Sequence, residues 1–277
     1  MDLYSRPTEA QSSQDWPTKF PIWNMRKPGL KLQETTFQVA DNISKDAFCI
    51  AADVWSRKDG KTWGVGKKFG AFSSAESFVT ELLEINKTRC FYEIIRQGRP
   101  CKAYFDLEAD AGIMTEEQGW IMCKSVIQLW NDRIKRRWPE AVMECAQCLA
   151  YMVLNGSRMT SDGLKINYHV IYPWLVFPCN TDTLRDEVSS MSELEQFQYC
   201  TRKGTLKSFI DPAVYTSNRQ FRMLLCHKLS DNSRTVLRPN SSPTIQIFVR
   251  SCMTQIDTRA WQVPQNTISG SALIPIE

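Results

Sequence analysis

The chain has 277 residues, of which 43% are hydrophobic and 23% charged, enough to bury a core of its own and typical of a globular protein. Lys+Arg 34 against Asp+Glu 30 leaves a formal charge of +4, which excludes a histone-like polycation but leaves room for a basic groove along a phosphate backbone. No stretch reaches the ~18 consecutive apolar residues of a membrane span. The opening Met1-Asp2-Leu3-Tyr4-Ser5-Arg6-Pro7 has no apolar signal core, so the expected setting is intracellular, with no membrane partner.

Residues 1–19 are polar and aperiodic and read as a flexible N-terminal arm. Helix and strand signals alternate over 20–250, the expected core, while 251–277, with Pro264, Gly270 and Pro275, reads as a C-terminal tail or packing strap. Ser73-Ser74-Ala75-Glu76 reads as a capping box opening a helix with Phe78, Leu82 and Ile85 on its apolar side. A strand is expected over Lys102–Glu108. A second capping box at Thr115–Gln118 opens a helix with the stripe Trp120, Cys123, Ile127, Trp130 and Ile134, stopped by Pro139. Cys148–Leu154 and Lys165–Tyr172 read as a hairpin joined through Asn155-Gly156-Ser157 and Ser161-Asp162-Gly163. A helix over about Asp182–Tyr199 and strands over Lys207–Asp211, Gln220–Lys228 and Thr244–Val249 complete the pattern. Hairpins mixed with helices indicate an α+β fold rather than a doubly wound sheet.

The ten cysteines are scattered through apolar segments and read as reduced, buried thiols. Cys145-Ala-Gln-Cys148 has no second pair and no nearby His, so two ordinary cysteines outweigh half a zinc site. The basic run Asp132–Trp138 fits either a nucleic-acid contact or compensation of a helix C-terminus, and the second suffices. Trp16, Trp23, Trp55 and Trp63 fit packing or base stacking equally.

Three segments carry chemistry. In Ala103-Tyr104-Phe105-Asp106-Leu107-Glu108, period two puts Tyr104, Asp106 and Glu108 on one strand face and Ala103, Phe105 and Leu107 on the core side. Two neighbouring carboxylates repel unless a cation neutralises them, and hard divalent ions favour such oxygen donors. Alone, a solvated strand face explains this pair better. In Lys165–Tyr172, Lys165, Asn167 and His169 share a face, and all three donate to phosphate oxygens. A structural histidine is the ordinary alternative for His169. In the third segment an apolar strand ends at Asp211, Pro212 ends its ladder, and Arg222 and Lys228 lie on one face of the strand beyond, with Arg219 on the other. Asp211 as a turn aspartate is the alternative there.

Together these segments resemble the catalytic motifs of the archaeo-eukaryotic primase superfamily, most closely its eukaryotic primase-polymerase branch. The resemblance runs from about Phe69 to Lys228 and is densest at Cys90–Ile95, at Cys101–Glu108 and at Asp211–Arg222. It implies a two-lobed primase-type core with an RRM-like catalytic lobe. It also implies Asp106, Glu108 and Asp211 as catalytic ligands of two Mg²⁺ or Mn²⁺ ions, and Lys165, Asn167, His169, Arg219, Arg222 and Lys228 as nucleotide-binding residues. Tyr92 would face the nucleotide sugar, and Lys68 loosely matches a basic position contacting nucleic acid. The implied function is a DNA primase and DNA-directed DNA polymerase, acting on a single-stranded DNA template and primer with dNTP or NTP. As a eukaryotic or viral monomer it would work in the nucleus rather than the mitochondrion. A non-catalytic single-stranded nucleic-acid-binding relative is the alternative.

Two departures stand out. The branch's second motif reads S-x-H, whereas this chain has Asn167-Tyr168-His169. After Asp211 only Cys226, His227 and Cys252 are available, too few and badly spaced for the branch's zinc module, so either the module is lost or this is a catalytic core alone. Extension is expected ahead of unaided priming, and a separate factor is a candidate for the priming function.

Overall fold

The computed structural model describes residues 32–45, 47–58, 62–84, 90–229, 238–239 and 244–264. The expected N-terminal arm, Ile85 of the first helix face, Trp16, Trp23 and the end of the tail lie outside these. In chain order the elements are α1 (Leu32–Ile43), β1 (Phe48–Lys58), β2 (Thr62–Phe72), α2 (Ala75–Glu84), β3 (Phe91–Ile95), β4 (Cys101–Ala109), α3 (Glu116–Arg137) and α4 (Pro139–Glu144). There follow β5 (Met152–Asn155), β6 (Arg158–Thr160), β7 (Gly163–Phe177), α5 (Thr183–Ser192), β8 (Gln198–Cys200), β9 (Leu206–Ser208), β10 (Arg219–Arg222), β11 (Arg238–Pro239), α6 (Ile245–Ser251) and β12 (Trp261–Gln262). The fold is mixed α+β with antiparallel sheets, and among the described residues no helix is long and apolar enough to cross a membrane.

The described residues form two compact units, one running to Ile94 and resuming after Arg219 as far as Gln255, the other comprising Ile95–Arg219 and the described residues from Ile256 on. In the first, β1 and β2 form a long hairpin and β3 pairs antiparallel with β1, giving the strand order β10-β3-β1-β2. Phe78 of α2 is buried with its ring 5.7 Å from Phe48, 5.1 Å from Phe72 and 5.5 Å from Phe91. Each such ring contributes roughly 1.5–3 kcal/mol of burial, which decides where α2 sits. Its cap falls one residue later than the sequence suggests. Ser74 Oγ accepts from Ser77 N at 3.2 Å and Ser77 Oγ accepts from Ser74 N at 3.4 Å, so Ser77 plays the part expected of Glu76. Glu93, buried in β3, accepts from Met253 N (2.7 Å), Thr254 N (2.6 Å) and the Thr254 hydroxyl (2.7 Å), fastening the segment after α6.

In the second unit the 15-residue β7 pairs antiparallel with β4, β5 and β6 and parallel with β12. The tight turn between β6 and β7 needs Gly163, whose φ is +106°. Helix α3 starts at the predicted capping box: Thr115 Oγ1 accepts from Gln118 N, and Gln118 Oε1 accepts from Thr115 N. Of its expected stripe, Cys123, Ile127, Trp130 and Ile134 are buried together with Val126, while Trp120 is half-buried. Trp130 lies 5.2 Å edge-on to Phe105 of β4 and 6.4 Å from Tyr172 of β7, so the core face of β4 is the one that period two selects. Beyond α6, β12 pairs with β7, and Val263 N donates to Val176 O at 2.8 Å.

Four expectations shift. Thr244–Val249 is the helix α6 rather than a strand, because Thr244 Oγ1 accepts from Ile247 N and Phe248 is buried; the cap and packing override the β-branched composition. The Gln220–Lys228 strand stops at Arg222, since Leu225 takes φ +60° and Cys226 N turns back to Met223 O. The first strand of the expected hairpin begins only at Met152, after a 3-10 turn over Ala146–Leu149. Helix α5 ends at Ser192, short of Tyr199, which lies in β8.

Candidate active site

The second unit brings the acidic row of β4 between two flanking segments. Tyr104 is fully buried, and side-chain exposure then climbs from 17% at Asp106 through 24% at Glu108 to 40% at Asp110. The row therefore opens to solvent at its C-terminal end.

On one flank is β7, where Asp106 pairs with His169 and Glu108 with Asn167. Residues directly opposite in an antiparallel pair share a face, so the donors of β7 meet the acids of β4. Asn167 Nδ2 donates to Asp106 Oδ1 at 3.0 Å, and His169 Nε2 lies 3.7 Å from the same oxygen. Lys165 Nζ is 3.1 Å from Glu108 Oε2. Asn167 and His169 are buried, so both side chains are committed to the floor of the row.

On the other flank runs the segment Lys207–Asp211. Asp211 N donates to Asp106 O at 2.9 Å and Glu108 N donates to Phe209 O at 2.8 Å, around an antiparallel bridge between Leu107 and Ile210. That register sets Asp211 directly beside Asp106 on the same face; such pairs have Cβ atoms roughly 5 Å apart. Asp211 Oδ1 also accepts from Ala213 N at 2.9 Å, so the turn-aspartate reading holds alongside the lateral placement. The loop beyond is locked from beneath. The Tyr215 hydroxyl donates to Tyr104 O, the Tyr104 hydroxyl donates to Val214 O (3.1 Å), and the rings stack at 4.9 Å. Asn180 Nδ2 adds a bond to Thr216 O at 3.0 Å. Arg219 lies within reach of the same loop, its Nη1 3.4 Å from Ala213 O.

Sequence reasoning missed two members of the row. Lys207 Nζ lies 2.9 Å from Asp110 Oδ1 and 3.6 Å from Glu108 Oε1. The hydrogen bond to Asp110 raises the Lys207 pKa, against the opposing effect of partial burial. The alternation that links Asp106 and Glu108 continues to Asp110, which is the signal that was available. Among the described residues no group of three or more His, Cys, Asp and Glu side chains is close enough, as they stand, to hold a metal ion. The donor set is nevertheless hard and oxygen-rich, and the backbone register puts two of its carboxylates side by side, which fits Mg²⁺ or Mn²⁺ better than a softer ion.

Tyr92, Lys68, Arg222 and Lys228 belong to the first unit. Tyr92 donates its hydroxyl to Asp53 Oδ2 at 2.7 Å, and Lys67 Nζ sits 3.8 Å above its ring while pairing with Asp53 Oδ1 at 2.5 Å. Burial first, and then the Asp53 carboxylate, raise the Tyr92 pKa above that of an ordinary phenol. Lys67 is thus a lysine at Tyr92, and Asp53 carried no motif that would have singled it out. Arg222 is buried, Lys68 half-buried and Lys228 exposed.

The remaining candidates have structural explanations. Arg133 donates to Ser190 Oγ (2.6 Å) and Glu187 O (3.2 Å), and Arg137 pairs with Glu187 Oε1 at 2.8 Å, so half of the basic run of α3 clamps α5. All ten cysteines are free and all but Cys145 and Cys200 are buried. Burial pushes the Cys148 thiol up to about 11, the opposite of a metal-binding or reactive thiolate.

No protein-family model matches the chain. It is similar to the DNA-directed primase/polymerase protein of Danio rerio, with 27% identity over 298 aligned positions that take in 91% of this chain and 54% of the relative. The chain therefore spans about half the length of that relative, and at this identity the relationship is loose.

Proposed function

We propose that the chain is a metal-dependent nucleotidyltransferase that extends, and with a separate factor initiates, DNA strands on a single-stranded template. One observation carries the reading: Asp106 of β4 and Asp211, far apart in sequence, lie side by side across the bridge between Leu107 and Ile210, with Glu108 next in the row. Neighbouring carboxylates repel one another, and a divalent cation neutralises such a cluster more fully than the hydrogen bonds and ammonium groups that brace it. The relative's name supports the same class of activity.

In this reading Asp106, Glu108 and Asp211 hold two Mg²⁺ or Mn²⁺ ions. Bound there, the ions would supply activation of a primer 3′-hydroxyl and neutralisation of charge on the α-phosphate and departing pyrophosphate. The chain's own residues prepare the site. Asn167 and His169 fix the orientation of Asp106 from below, and the Tyr104–Tyr215 lock fixes the loop that carries Asp211. Lys165, at the open end of the row, presents an ammonium to phosphate oxygens. Arg219 supplies further positive charge beside the loop that carries Asp211.

A second reading, a non-catalytic binder of single-stranded nucleic acid, draws on the engagement of Asp211 with Ala213 and of Glu108 with two lysines. Primer extension with Mg²⁺ or Mn²⁺, run with and without an annealed primer, separates the two. The wild-type chain is expected to extend primers. The double variant Asp106→Ala, Glu108→Ala is expected to lose extension while retaining single-stranded DNA binding. Extension by the double variant would refute the assignment of these carboxylates.

A further inference from the structure

We propose that Lys207 is a second phosphate-binding ammonium of this site, placed opposite Lys165 across Glu108. The proposal rests on the nucleotidyltransferase reading and adds to it a residue outside the motifs that suggested it.

The argument starts from competition for Glu108. Its Oε2 is 3.1 Å from Lys165 Nζ and its Oε1 is 3.6 Å from Lys207 Nζ, so each oxygen faces one ammonium. A divalent ion drawn to the same carboxylate takes over those oxygens, so Lys165 gives up its Glu108 partner and Lys207 keeps Asp110 alone, leaving both ammonium groups with capacity for another acceptor. The anionic oxygens of a phosphate chain bound beside the ion are such an acceptor, and Lys is a compact point charge able to follow them. Metal and phosphate would therefore bind together more strongly than either alone.

Placement favours Lys207 for this task. The register that sets Asp211 beside Asp106 and Phe209 beside Glu108 sets Lys207 beside Asp110, at the solvent-open end of the row. Its side chain is 42% exposed, so redirecting it breaks only surface ion pairs, which are individually weak. Its backbone is fixed independently of those pairs. Strand β9 is paired with β8, where Tyr199 lies opposite Lys207, and the Tyr199 hydroxyl accepts from Asp110 N at 3.2 Å. The two lysines thus stand on opposite flanks of β4, one from β7 and one from β9.

The test is a calorimetric titration of inorganic tripolyphosphate into the full chain with Mn²⁺ present, with thermal melts to compare folding. Lys207→Ala is expected to raise Kd about tenfold, the low end for a charge-assisted contact because the site is partly exposed. Lys207→Arg should bring it back to within about threefold of wild type. Asp110→Asn breaks the same ion pair from the other side, so a lysine that merely holds the hairpin would make this variant as weak as Lys207→Ala. Our proposal requires Asp110→Asn to bind as tightly as wild type or more so. Unchanged affinity in Lys207→Ala, or parallel losses in both variants, overturns the role of Lys207 alone. A wild-type chain that binds no tripolyphosphate overturns the nucleotide-site reading together with it.

Discussion

The side-chain amide of Asn167 reaches from β7 to within 3.0 Å of Asp106 Oδ1 on β4, in the position where the resembling motif has a serine. Asn167 lies opposite Glu108, two pairs along the ladder from Asp106 and His169, and the longer amide spans that diagonal. Removing a buried donor to a carboxylate frees Asp106 to rotate, at a cost of about 1.5–3 kcal/mol in the interaction. Asn167→Ala is therefore expected to raise the Mn²⁺ concentration that half-saturates primer extension by about tenfold. A metal titration with unchanged midpoint would remove Asn167 from the site.

Tyr215 is fully buried and bonded to the main chain of Tyr104, while the Tyr104 hydroxyl returns a bond to Val214. Tyr215→Phe keeps the stacked ring and deletes one hydroxyl, leaving a buried carbonyl short of a donor. Chemical denaturation should show a loss of about 1–3 kcal/mol. The metal midpoint of extension should rise as well, because the loop holding Asp211 loosens. A stability loss with no change in metal dependence would make the lock purely structural.

Gly119 sits in the first turn and a half of α3, where alanine would ordinarily help by about 1 kcal/mol. A Cβ there would meet three carbons of Ile166 at 2.9, 3.0 and 3.1 Å. Ile166 is wholly buried between Lys165 and Asn167, so the clash is not relieved by a surface movement. Gly119→Ala should destabilise by about 1–3 kcal/mol despite its helix propensity. A variant melting at or above the wild-type temperature would contradict this packing.

Burial holds Tyr172 and Tyr215 well above the ordinary phenol pKa of 10.0. Above pH 10 the unfolded chain loses these protons and the folded chain does not, so the unfolded state binds fewer protons and stability falls as pH rises. Below pH 10 both states are protonated and the contribution is complete. Melting temperature is expected to drop from about pH 10 upward, with tyrosinate absorbance appearing only as the protein unfolds. Early, separate ionisation of these phenols in the folded protein would contradict their burial.

Much of this was legible in the sequence because it depends on local periodicity. The capping box at Thr115–Gln118 and the alternation through Asp106 and Glu108 are written in adjacent residues, and both survive folding. What the sequence hides is lateral. Alternation says that Asn167 and His169 share a face, but only the β4–β7 register shows that this face meets Asp106, so side chains expected to meet a phosphate chain are found bracing a carboxylate. Lys207 and Asp53 were invisible for the same reason, since each takes its meaning from a neighbour on another strand. The segment Thr244–Val249 misleads in another way: its β-branched residues favour a strand until a single threonine cap and one buried phenylalanine decide for a helix.

The chain enters the first unit, leaves it after Ile94, and comes back at Gln220 to contribute β10 and α6. A nonsense codon just after Arg219 would leave every carboxylate of the row encoded, yet strip the other unit of the strand next to β3 and of the peptide that Glu93 grips. Minimal fragments of this protein cannot be made by trimming from one end; each unit has to be built from two separate pieces of the gene.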